Sequence, residues 1–179
     1  TYNNSTGVFN EDIILIKTDG FGDTIWTKEF DYGINNNGIG TDLGRYVEQT
    51  TDGGYIITGI NSSNHIWLIK TNSIGDTTWT KKFESGYQKV VVKQTNDIGY
   101  IICGNKWSLN GDNEIILIKT DSTGSLIWEQ TFGGSNDDIS HDIQKTSDNG
   151  YILVGETWSY GNGDNDVWLI KTDIYGDSL

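Results

Sequence analysis

The sequence predicts an all-β fold, and three observations predict it. One six-residue phrase is written three times, as GYIITG at 54–59, GYIICG at 99–104 and GYILVG at 150–155. A second phrase runs in step with it and places lysines at 17, 70, 119 and 171, spaced by 53, 49 and 52 residues. Composition is the third: 23 Gly, no Pro and no Met among 179 residues, with Asn and Thr between short β-branched and aromatic runs. That mixture suits strands joined by tight turns and suits helices badly.

Each repeat divides into two hairpins. In the first, a strand such as IILIK leads through TDGFGD into TIWTKEF (12–30), and the pattern returns at 65–83 and 114–132 and begins again at 166–179. Gly and Asp in the connector supply the positive φ and the side-chain-to-backbone bonds of a tight turn. In the second, VEQT leads through TDGG into YIITG, VKQT through NDIG into YIICG, and IQKT through SDNG into YILVG. Two hairpins give four antiparallel strands, which is one propeller blade. The units run approximately 1–59, 60–104 and 105–155, with a partial unit at 156–179. A solenoid coil is shorter, roughly 20–30 residues, and rarely needs two marked hairpin turns, so the expected architecture is a β-propeller of four-stranded blades. About three and a half blades are present in one segment, 1–179, and closed rings need roughly four or more. The expectation is part of a larger ring, completed by further sequence or by a second copy. The chain begins with Thr and holds no Met, which is read as a processed product or a piece of a longer protein.

Side-chain pattern agrees with blades. IILI and YIIT are continuous apolar runs, as in strands covered on both faces. TIWTKEF, TTWTKKF and LIWEQTF place Trp and Phe four apart on one face of a strand. Trp26, Trp79 and Trp128, with Phe30, Phe83 and Phe132, are expected to fill the gaps between blades.

With the repeat laid out, the third copy, FGGSNDDISHDIQKTSDNGYILVGETWSYGNGDNDVWLIKTDIYGD, resembles the fifty-residue-class propeller repeats of bacterial and archaeal secreted and cell-surface proteins. The likeness covers essentially the whole chain and is fullest at 131–177. Copies one and two depart from it, with DYGINNNGIGTDLGR and ESGYQ in place of the GGS-DD stretch. The resemblance implies an extracellular or cell-surface scaffold or adhesion module without catalytic activity. KTDSTGSLIW is also similar to the turn of quinone-carrying propellers. Those enzymes use adjacent cysteines near the cofactor, whereas this chain has one Cys, at 103.

Bulk properties narrow the partners. Twelve basic and 25 acidic residues give a net charge of −13, which repels nucleic-acid phosphates and anionic lipid. No apolar run approaches the length of a membrane span. Cys103, inside an apolar strand and without a neighbouring His, reads as buried and structural. His65 and His141 lie in different parts of the repeat, and no phosphate loop, zinc spacing or acid/base pair stands out.

The candidate site is therefore in the variable connectors. NGDNE (110–114) and GNGDND (161–166) occupy equivalent places, and GGSNDD (133–138) is a third acidic stretch. Short Asp/Asn/Gly loops supply carboxylate, amide and backbone oxygens for Ca2+, so Asp112, Asp137, Asp138, Asp164 and Asp166 are the candidate metal ligands; ordinary Asx turns explain the same letters. Trp107, Trp158 and Tyr160, beside those connectors, are candidate ligand-binding residues, since an aromatic next to Asp and Asn can stack on a sugar face. Tyr2 falls in a similar setting, and Asn3, Asn4 and Asn61 open N-x-S/T sequons. The expected function is a non-catalytic binding or scaffold module for a glycan or protein. The alternative is part of a hydrolase or quinone-dependent propeller whose catalytic residues lie elsewhere.

Overall fold

The computed structural model describes residues 10–33, 40–83 and 87–179; Tyr2, Asn3, Asn4 and parts of the two divergent stretches lie outside them. The described residues form strands without helices. In chain order these are β1 (Asn10–Glu11), β2 (Ile13–Thr18), β3 (Thr24–Phe30), β4 (Gly40–Thr41), β5 (Leu43–Gln49), β6 (Tyr55–Ile60), β7 (Ile66–Thr71) and β8 (Thr77–Phe83). They continue with β9 (Tyr87–Gln94), β10 (Tyr100–Trp107), β11 (Asn113–Thr120), β12 (Leu126–Phe132), β13 (Asp138–Lys145), β14 (Tyr151–Thr157) and β15 (Asp166–Thr172). Among the described residues no helix is long and apolar enough to cross a membrane.

β5-β6-β7-β8 and β9-β10-β11-β12 are complete four-stranded antiparallel sheets, flanked by the hairpin β2-β3 and the three-stranded sheet β13-β14-β15. The sheets are out of phase with the sequence unit by one hairpin. The second hairpin of each unit pairs with the first hairpin of the next, not with its own. Connector lengths hide this, because the link inside a sheet (61–65) and the link between sheets (133–137) are equally short. Side chains decide it. Asn61 Oδ1 accepts the Ser63 and His65 amides at 3.0 Å each, and Asn64 takes φ 59°, which turns β6 back onto β7.

The repeated phrase is explained by a lock at one end of each of the three larger sheets. Lys70 crosses from β7 to the turn before β6, where its Nζ donates to Asp52 at 2.8 Å and to the Thr71 carbonyl at 2.7 Å. Lys119 does the same with Asp97 and Thr120, both at 2.9 Å, and Lys171 with Asp148 at 2.8 Å and Thr172 at 2.9 Å. Lys70 and Lys119 are only 5% and 4% exposed. Each aspartate also accepts a threonine hydroxyl (Thr50, Thr95, Thr146) and a glycine amide (Gly54, Gly99, Gly150). The ammonium passes over that glycine: a Cβ on Gly99 would stand 2.2 Å from the Thr120 carbonyl oxygen and 2.7 Å from Lys119 Nζ. The bonds from Lys70 and Thr50 hold Asp52 down at about 2. Burial pushes Asp97 up, but the bonds from Thr95 and Lys119 outweigh it and leave it below the usual range. Asp148 is lowered by the bonds from Lys171 and Thr146.

Stacking follows from the residues around this lock. Trp26, Trp79 and Trp128 meet Tyr55, Tyr100 and Tyr151 of the next sheet with ring centres 5.7, 5.8 and 6.3 Å apart. The same indoles cover Gly75, Gly124 and Gly176, where a Cβ would come within 3 Å of the ring. Phe30, Phe83 and Phe132 pack into the same three interfaces, as the sequence pattern predicts. The apolar runs are split by parity: Ile66 and Leu68 face the following sheet, whereas Trp67 and Ile69 face the preceding one. All four are buried in β7 and in the equivalent run of β11. In the flanking sheets only one face is covered, so Ile14 and Ile16 of β2 and Val167 and Leu169 of β15 are exposed. Cys103 is 1% exposed, and burial pushes its thiol up to about 12, so it packs as a small apolar group.

Two substitutions test the lock. Ile98 holds φ 59°, which is costly for a β-branched residue, and the equivalent place carries Gly53 and Asn149 in the other copies. Because Ile98 is exposed, Ile98→Gly is expected to stabilise the chain by about 1 kcal/mol in urea unfolding. Gly99→Ala is expected to destabilise it by about 2 kcal/mol or more, whereas Gly20→Ala, which meets nothing, should be near neutral in the same assay.

Candidate functional site

At the end of the sheets opposite the lock, three connectors converge. One joins β10 to β11, one carries the chain from β12 to β13, and one joins β14 to β15. The first is a tight turn in which the Ser108 amide donates to the Asp112 carbonyl at 2.8 Å, Ser108 Oγ donates to the Asp112 carboxylate, and Gly111 takes φ 88°. It is tied to the second by Asp137, whose Oδ1 accepts the Asn113 amide at 2.8 Å and its Nδ2 at 2.9 Å. The third is tied to the second by the Trp158 amide on the Asp137 carbonyl at 2.9 Å and by Asn136 Nδ2 on the Trp158 carbonyl at 3.0 Å.

Between them opens a cleft of about 440 Å³, with Asn110, Asp112, Asn136, Asp137, Trp158 and Asp164 on its walls. The structure thus brings together Asp112, Asp137, Asp164 and Trp158 of the residues expected from sequence. The other four do not line it. Asp138 is fully buried behind it, a strut whose Oδ2 accepts the Gly134 amide at 2.8 Å and Ser159 Oγ at 2.7 Å. Asp166 caps its own connector through the Asn162 amide at 3.0 Å. Tyr160 packs on Trp168 with ring centres 5.2 Å apart and donates its hydroxyl to the Gly133 carbonyl at 2.8 Å. Trp107 is half-exposed at the end of β10 and outside the cleft. Trp158 is the aromatic that offers an exposed ring beside hydrogen-bonding oxygens and amides, the combination that holds a polyhydroxylated ligand.

The closest carboxylate cluster among the described residues lies elsewhere. Asp12, Asp31 and Asp42 bring one oxygen each within 4.8 Å of the others, whereas no three of the predicted ligands do so. Asp42 is 2% exposed and accepts the Tyr32 amide at 2.7 Å and the Ser62 amide at 2.9 Å; burial raises it above the usual range. Asp12 is pushed up to about 6 by burial, a bond with Glu29 and the charge of Asp31, and its Oδ1 is buried without a partner. Sequence reading passes over this cluster, yet the repeat carries a signal for it: Asp42 stands where the third copy has Asp138, and Asp12 where it has Asp166.

No protein-family model matches the chain, and no curated protein does. Among solved structures, the chain is similar to a protein of unknown function from Bacteroides caccae, at 10% identity over 90% of this chain and 72% of that one, with a TM-score of 0.37.

The carboxylates give stability two opposed pH limbs. Asp52 is lowered, so its contribution is present above the ordinary value of 3.8 and is lost as pH falls toward about 2. Asp12 is raised, so its contribution is present below 3.8 and is lost as pH rises through about 6. Urea midpoints measured from pH 2 to 7 are expected to rise and then decline between about 4 and 6. Asp12→Asn should flatten the decline and leave the acid limb in place. A decline of the same size in that variant would assign it to another group.

Proposed function

We propose that this chain is a non-catalytic binding or scaffold module built on propeller blades and presented outside the cell. Its ligand is a glycan or a polar protein segment held at the connector cleft. The observation that carries the reading is the pairing of an exposed Trp158 ring with Asp112, Asp137, Asn136 and Asp164 in one cleft formed by three connectors. The four-stranded antiparallel sheets, stacked face to face, support blades as the architecture. The resemblance of the third copy to secreted propeller repeats supports the extracellular setting. Calcium belongs to this reading as a ligand of the same acidic connectors. The spacing of their carboxylates leaves it to amide and backbone oxygens to complete a six- to eight-oxygen shell.

A glycan array followed by calorimetry on the best hit tests it. Trp158→Ala is expected to weaken binding about tenfold or more, which is ~1.4 kcal/mol, with Trp107→Ala close to unchanged. Repeating the titration with calcium and then with a chelator reads the metal directly, as a reversible change in affinity. If no glycan or peptide binds, or if Trp107→Ala is the variant that loses binding, the cleft is not the site.

A further inference from the structure

Repetition shows what one strand edge lacks. β7, β11 and β15 each pair on one side with a strand of the GYI phrase, which is β6, β10 and β14 respectively. β2 carries the same IILIK phrase, yet among the described residues it pairs with β3 alone. Among the described residues nothing pairs with its other edge, whose backbone donors and acceptors are of the kind that accept an added strand.

Three further observations converge on that edge. Beside it runs an apolar groove of about 440 Å³, lined by Ile13, Ile14, Leu15, Tyr46, Val47 and Ile57. Val47 is 46% exposed there, whereas its equivalents Val92 and Ile143 are fully buried beneath the GYI-type strands of the sheet before them. Finally, Lys17 is the counterpart of Lys70, Lys119 and Lys171, but no described carboxylate bonds it. It donates instead to the Tyr55 hydroxyl at 2.6 Å and lies 5.4 Å from the centre of that ring.

We infer that the groove between this edge of β2 and the exposed face of β5 seats a β-hairpin carrying the repeat's own T-x-D-x-G-Y phrase, supplied by a separate segment. The strand after the glycine adds to β2 through main-chain bonds, as in strand-addition complexes. Its aspartate takes Lys17, its glycine lets the ammonium pass, and its alternate apolar residues cover Val47 as Ile101 and Cys103 flank Ile143 within one cluster. The internal β6–β7, β10–β11 and β14–β15 pairings are the pattern for this contact. The inference rests on repetition within the chain and stands apart from the ligand reading of the connector cleft.

A labelled peptide with the sequence of residues 138–157, titrated with the full chain and read by fluorescence anisotropy, tests it. Saturable one-to-one binding is expected. Lys17→Met in the protein, or Asp148→Asn in the peptide, should each weaken it at least tenfold, and Val47→Asp should abolish it. Both protein positions are at least partly exposed, and unchanged tryptophan fluorescence would show that the variants fold. The phrase strands of this chain, β6, β10 and β14, already have both edges paired, so the hairpin comes from outside these residues and the protein alone is expected to run as a monomer. The inference is overturned by no saturation, by equal binding of a shuffled peptide, or by indifference to all three substitutions.

Discussion

The structure depends on a buried lysine at the end of a sheet, bonded to an aspartate in the adjoining turn. An ammonium 4–5% exposed is tolerable only when its hydrogens are satisfied, and Lys70 and Lys119 meet that demand with one carboxylate and one carbonyl each. The route to those partners runs over a backbone with no side chain, so the next residue must be glycine. The carboxylate must also be held still, which the threonine hydroxyl and the glycine amide accomplish. Four letters of the repeated phrase, Thr, Asp, Gly and the distant Lys, are therefore consequences of one charge placed in a sheet interior. Burying a pair of this kind adds little net stability, but losing one partner leaves a charge stranded, so the lock fixes register more than it adds free energy.

Register is what the stacking needs. With the lysine end pinned, alternate residues of β7 and β11 point to opposite neighbours. The tyrosine after the glycine then stands where the preceding sheet's tryptophan arrives. A one-residue slip would exchange the two faces of every sheet at once. The second glycine of the phrase marks the place where pairing shifts: irregularities fall between Gly44 and Tyr46, Cys103 and Asn105, and Ser140 and Asp142. β10 uses the freedom differently, with Asn105 fully buried and its Nδ2 donating to the Asp138 carbonyl of the next sheet at 2.9 Å.

How much of this could be read from letters varies with how local the cause is. The strands, the two hairpins and the Trp–Phe packing were legible because period-two alternation and Gly/Asp turns are local signals. The phase of the sheets was not, since it turns on whether Asn61 folds its connector back, and an Asn in a short link looks alike in either case. The lock was half legible: the lysine recurs visibly, but that it is buried follows only from its reach across the sheet. Of the proposed site residues, Asp112, Asp137, Asp164 and Trp158 meet because connectors from two sheets converge, while Asp138 and Asp166 serve as struts. The Asp12–Asp31–Asp42 cluster joins positions thirty residues apart through two short strands, β1 and β4, that no pattern announces.

The two ends of the sheets thus divide the work. At the lock end the same atoms recur in three copies, and a substitution there disturbs register throughout the stack. At the connector end the links differ in length and sequence, from five residues at 61–65 and 108–112 to eight at 158–165. The orphaned oxygens of Asp112, Asn113 and Asp138 sit at this second end. Unsatisfied polar atoms are costly where a fold must be rigid and useful where something is to be held. A chain that repeats one end so closely is free to vary the other. That asymmetry accords with the proposed binding among the connectors, beside a lock built among the glycines.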